Sequence, residues 1–149
     1  MENYRIENFK RWTLQSCGGS KNPTTSQSID FRERIGDEAQ YAWVYPNFMI
    51  NRYGPIMDTN WIVPIDHQTC LTIFDYYFKD DAKNDFVEAS IAASEQVQTE
   101  DVVICESVQK GMASKSYVAG RYSPHLETGE YLFHSLLKND YLRITSDKL

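Results

Sequence analysis

Apolar and polar residues alternate through the first half of the chain, and a helical period replaces the alternation in the second. In residues 4–14, Tyr4, Ile6, Trp12 and Leu14 share one parity, the pattern of a half-buried strand. Residues 16–30 are rich in Ser, Gly, Asn, Pro and Thr, with Gly18-Gly19 and Pro23, and read as an exposed, mobile loop. From Gln40 to Phe78 the chain reads as strands. Tyr41 to Tyr45 is β-prone and stops at Pro46, and Phe48 to Tyr53 stops at Gly54-Pro55. Thr59 to Ile65 and Cys70 to Phe78 follow. Pro, Gly, Asn or Asp stands in each gap, as an antiparallel meander requires.

The character changes at Lys79. After the polar break 80–84, the stretch from Asp85 to Ser114 has no Pro and no Gly before Gly111. Val97, Ile104, Val108 and Met112 recur at helical spacing and give it one apolar face. Gly111 is a plausible stop, with Met112 able to extend the helix past it. Residues 115–130 contain Gly120, Pro124 and Gly129 and read as a loop, and Tyr131 to Leu142 as a short amphipathic helix. The expected architecture is α+β: four or five antiparallel strands in a curved sheet, with a long helix packed across it. A sheet that starts at Tyr4 would be incomplete on its N-terminal side, since an unpaired edge is a liability.

Composition narrows the function. The 149 residues are 42% apolar and 13% aromatic, enough for one packed domain. The net charge of -6 speaks against nucleic acid, which wants clustered Lys and Arg. No apolar run reaches the ~20 residues that cross a bilayer. Three cysteines, Cys17, Cys70 and Cys105, form no C-x-x-C pair, which argues against a disulfide framework, zinc or an iron–sulfur cluster. The polar start of the chain reads as neither a signal nor a transit peptide. The default setting is a reducing, cytoplasmic one, and a plastid would require a segment upstream of Met1.

One residue breaks the apolar face of the long helix. With Val97 at zero and ~100° per residue, Ile104 falls near about -20° and Val108 near about +20°. Asp101 falls near about +40°, inside the stripe. A carboxylate in such a stripe has to be paired, hydrogen-bonded, protonated or bound to a metal if the stripe is buried. A satisfied buried Asp, or a stripe wetter than its pattern implies, accounts for the position equally well.

Three strings carry a resemblance: Tyr45-Pro-Asn-Phe-Met-Ile-Asn-Arg-Tyr-Gly-Pro55, Met57-Asp-Thr-Asn60, and Gln98 to Gly111. With Gly120-Arg-Tyr and Phe133-His-Ser-Leu-Leu, the chain resembles choline monooxygenase-like Rieske non-heme iron oxygenases, of the ring-hydroxylating dioxygenase alpha-subunit family, over residues 35 to 138. The resemblance implies a helix-grip, START-like catalytic domain. It implies one Fe(II) held by two His and one carboxylate, with Asp101 in the carboxylate position. A [2Fe–2S] cluster belongs to the family's separate N-terminal Rieske domain. It also implies hydroxylation of a small quaternary-ammonium substrate such as choline with O2, electrons from a reductase, and a homo-trimeric assembly.

The departures are equally definite. The chain has no C-x-H and C-x-x-H pair for a Rieske cluster, and no D-x-x-H-x-x-x-x-H segment for the two His ligands. His67, His125 and His134 have the wrong spacing and context. Residues 1–149 are therefore expected to be the C-terminal portion of an oxygenase catalytic domain without its Rieske domain. The alternative is a catalytically inactive truncated product, or a helix-grip ligand-binding module lacking metal. A quaternary ammonium is held by aromatic faces, and Trp43, Tyr45 and Phe48 are the substrate-binding candidates. Each reads equally as ordinary core of an aromatic-rich sheet. Arg52 fits an interface or an ion pair, and Glu100 and Glu106 are carboxylates near Asp101.

Overall fold

The computed structural model describes residues 4–18, Arg34 and 36–146, which form two compact units. The first comprises the described parts of Met1–Lys79 and Tyr122–Leu149, the second Asp80–Arg121.

In the first unit six strands follow one another in a simple meander. They are β1 (Tyr4–Asn8), β2 (Trp12–Gly18), β3 (Glu38–Val44), β4 (Phe48–Tyr53), β5 (Ile56–Pro64) and β6 (Cys70–Phe78). Each is antiparallel to the next. A helix, α2 (Thr128–Ser146), completes the unit. The second unit is built on one long helix, α1 (Asn84–Met112), with Asp85 in its first turn and Lys110 in its last, both favourable to the helix dipole. The α+β class and the antiparallel sheet are as the sequence implied.

Several boundaries differ. The single strand expected over residues 4–14 is a hairpin. The chain reverses at Phe9–Arg11, where the Phe9 N–H donates to the Trp12 carbonyl at 2.9 Å and the two rings stack 3.8 Å apart. Register pairs Ile6 with Gln15 and Glu7 with Leu14. Tyr4 and Ile6 therefore share a face with Thr13 and Gln15, not with Trp12 and Leu14, because the turn inverts the parity. Residues 16–18 belong to β2 rather than to a loop, and residues 19–30 of that expected loop lie outside the described residues. The third expected strand starts earlier, at Ile56. The last helix also starts earlier, at Thr128, because Gly129 is a helical residue buried against Thr13 rather than a loop breaker.

The turns account for their residues. The β5–β6 hairpin is closed by Asp66, whose Oδ1 accepts the N–H groups of Gln68 and Thr69 at 2.8 Å each. The bond from Gln68 first holds this carboxyl below the ordinary carboxylate range. Gly54 turns β4 into β5 at φ +48°, and Gly36 faces it at φ +70°. A Cβ on Gly54 would lie 2.6 Å from the Arg34 carbonyl oxygen. Gly54→Ala is expected to destabilise the fold by about 2 kcal/mol or more, through the left-handed backbone and the clash. The check is the urea midpoint, which should fall at unchanged slope.

Candidate functional site

Cross-strand register sorts the sheet residues onto two faces. Thr13, Trp43, Met49 and Asn60 form one row, and Gln15, Tyr41, Asn51, Asp58 and Tyr76 the next, on the same face. The helix α2 covers part of this face. Asn8 Nδ2 donates to the Thr128 carbonyl at 3.0 Å, and Phe133 meets Trp43 edge-on with centroids 5.2 Å apart. Between them lies a cleft of about 640 Å³. Its walls are mostly apolar: Trp43, Met49, Ile62 and Pro64 from the sheet side, Phe133 and Leu137 from the helix. Gln15, Asn47, Glu130 and His134 supply polar atoms.

One row along the strands, four polar side chains lock together. Asp58 and Asn60 are buried on β5. Asp58 Oδ1 accepts from Asn51 Nδ2 at 2.7 Å and from Asn60 Nδ2 at 2.9 Å. Its Oδ2 accepts from the buried Tyr53 hydroxyl at 2.6 Å, and Asn51 also donates to Asn60 Oδ1 at 2.9 Å. These partners come from the two motifs 45–55 and 57–60, so the strings that carry the resemblance meet around one carboxylate. Sequence reading missed Asp58. The available signal was two polar residues, Asp58 and Asn60, at the same parity as Ile56 and Ile62.

Trp43 lines the cleft. Tyr45 lies just past the end of β3, 6.0 Å from the Trp43 ring, and its hydroxyl donates to Asp140 Oδ2 at 2.8 Å. Arg11 stacks 4.6 Å over the Tyr45 ring and reaches Asp140 at 4.0 Å. Desolvation first, then the bond to Asp140, raises the Tyr45 phenol above its ordinary range. Tyr45 thus ties the sheet to α2. Phe48 pairs with Val44 and Trp61 and faces away from Trp43. Asp101 is exposed on α1, with Glu100 and Glu106 exposed beside it.

The histidines are dispersed. His67 is at the β5–β6 turn, His125 in the loop before α2, and His134 on α2, where its Nδ1 meets the Tyr122 hydroxyl. Among the described residues no three His, Cys, Asp or Glu side chains come together as a metal site. The described residues therefore do not by themselves fit a mononuclear iron. The three cysteines are free. No helix among the described residues is long and apolar enough to cross a membrane.

This meander sheet and its helix match the catalytic-domain fold of Rieske oxygenases. A solved structure of a quaternary ammonium Rieske monooxygenase, described in connection with carnitine oxidation and inter-subunit electron transfer, matches with a TM-score of 0.76. The match is at 25% identity and covers 91% of this chain and 38% of that one. The profile of the ring hydroxylating alpha subunit catalytic domain matches residues 7–141, and the chain belongs to that family. It is 43% identical to the chloroplastic choline monooxygenase of Arabidopsis thaliana over 94% of this chain and 32% of that protein. It is 33% identical to the carnitine monooxygenase oxygenase subunit of Escherichia coli (strain K12) over 71% of this chain and 28% of that protein. The chain thus spans roughly a third of the length of these relatives.

The Asp58 cluster makes a stability prediction. Asp58→Ala strands three buried or half-buried donors and should cost about 2–4 kcal/mol. Tyr53→Phe removes one bond to a charged acceptor and should cost about 1.5–3 kcal/mol. In a double-mutant cycle the two losses should be strongly non-additive. Additive losses in urea titrations would show that the cluster is not acting as a unit.

Proposed function

We propose that residues 1–149 act as the C-terminal portion of the catalytic domain of a mononuclear iron oxygenase that hydroxylates a quaternary-ammonium substrate such as choline. The observation that carries this is the cleft lined by Trp43 and Phe133, whose rings meet edge-on, in a chain 43% identical to a choline monooxygenase. An onium headgroup has no proton to donate. It gains from aromatic faces and from apolar walls that exclude water. Trp43 supplies such a face, with Tyr45 behind it holding α2 in place. Phe48, on the other face of the sheet, contributes to the headgroup site only through the packing of β4.

In this reading Asp101 supplies one oxygen donor to Fe(II), and two His donors come from a segment outside this chain. A carboxylate with two imidazoles leaves open positions at the metal, where the bound iron supplies oxygen activation. The [2Fe–2S] cluster lies in a Rieske domain outside this chain, charged by a reductase, within a homo-trimer.

A chimera tests the proposal. The matching segment of the Arabidopsis choline monooxygenase is replaced by this chain, and iron content and choline-dependent O2 uptake are measured. The chimera should bind iron as the parent does, and Asp101→Ala should lower mononuclear iron occupancy by at least about tenfold. A folded chimera whose iron content ignores Asp101→Ala would sink the assignment.

The second reading is a helix-grip ligand-binding module lacking metal. It predicts choline binding by the chimera with no O2 uptake.

A further inference from the structure

We infer that Glu130 makes the cleft selective for a compact organic cation without an acidic tail, over a zwitterion that carries the same headgroup. The inference rests on the cleft being the substrate site. Among the described residues that line it, Glu130 is the one carboxylate, and none is Lys or Arg. His134, one helical turn further along α2, is the other ionisable side chain there. Its Nδ1 meets the Tyr122 hydroxyl. Among the described residues the cleft therefore offers one carboxylate and no Lys or Arg.

The position of Glu130 is supported from the sheet side. Tyr4 donates to Gln15 Oε1 at 2.6 Å, and Gln15 lines the cleft. Burial first, then the Glu130 charge, pushes the Tyr4 hydroxyl above its ordinary range. Apolar walls weaken the screening of whatever charge shares the cleft. A cation gains from Glu130. A ligand carboxylate on the same scaffold meets a like charge and finds no cationic partner. L-carnitine shares choline's trimethylammonium headgroup and hydroxyl and adds a CH2-carboxylate on the hydroxyl-bearing carbon, so the pair tests the acidic tail on a common headgroup.

The test is a titration of the 149-residue chain with choline and with L-carnitine, at one pH and low salt, following the Trp43 indole N–H by NMR. Wild type should bind choline about tenfold more tightly than L-carnitine. Glu130→Gln should bring the two affinities within about twofold, and Glu130→Lys should invert the preference. Equal affinities in wild type, or a preference unmoved by both substitutions, would overturn the inference while leaving the cleft as a cation site. If neither ligand shifts Trp43, the substrate-site reading falls and the inference with it.

Discussion

A carboxylate removed from water has to be met by hydrogen-bond donors, and the arrangement of β4 and β5 follows from meeting that need at Asp58. Donors from Tyr53, Asn51 and Asn60 fill both of its oxygens. All four side chains must stand on one face, which fixes the register Asn51↔Asp58 and Tyr53↔Ile56. A slip of one residue would send Asp58 to the opposite face and leave three donors buried or half-buried without it. The Gly54 turn sets the same register from the end of the hairpin. On the next row along, Met49 and Asn60 are paired beside Trp43, so the floor of the cleft inherits its position from the buried cluster.

Strand existence was legible from alternation and turn residues, and the long helix from its unbroken Ala- and Glu-rich run. Facing was less legible. Alternation gives the period of a strand but not the turn that precedes it, and the Phe9–Arg11 reversal inverted the parity assigned across residues 4–14. Gly129 misled for a related reason. A glycine reads as a breaker, whereas here the missing Cβ lets the first turn of α2 approach Thr13, whose nearest side-chain atom would lie 3.5 Å from an added Cβ. The Trp43 wall was found as one member of an aromatic-rich strand. Its partner Phe133 was not, because it lies 90 positions away and nothing local announces the contact.

Asp101 shows the limit of a face argument. The residue lies in the apolar stripe of α1, but Val97, Ile104, Val108 and Met112 are themselves exposed. A desolvation cost arises only where the stripe is covered. The helical wheel therefore identifies where a carboxylate would be costly without establishing that the cost is incurred. The reading of Asp101 as a ligand stands on the resemblance of the segment Gln98 to Gly111 and on the proposal that two imidazoles are supplied from elsewhere.

The two carboxylates of the first unit that bear on the cleft differ in what their surroundings allow. Asp58 is enclosed and saturated, so its charge is spent on neighbouring donors and fixes geometry. Glu130 is exposed at the cleft wall, where its charge faces whatever ligand enters. The apolar surface that Trp43 and Phe133 give the cleft cannot distinguish one onium ion from another by charge, because the rings read only the headgroup. Discrimination between ligands that share a headgroup has to come from a polar group at the far end of the molecule. In this cleft that role falls to the first turn of α2.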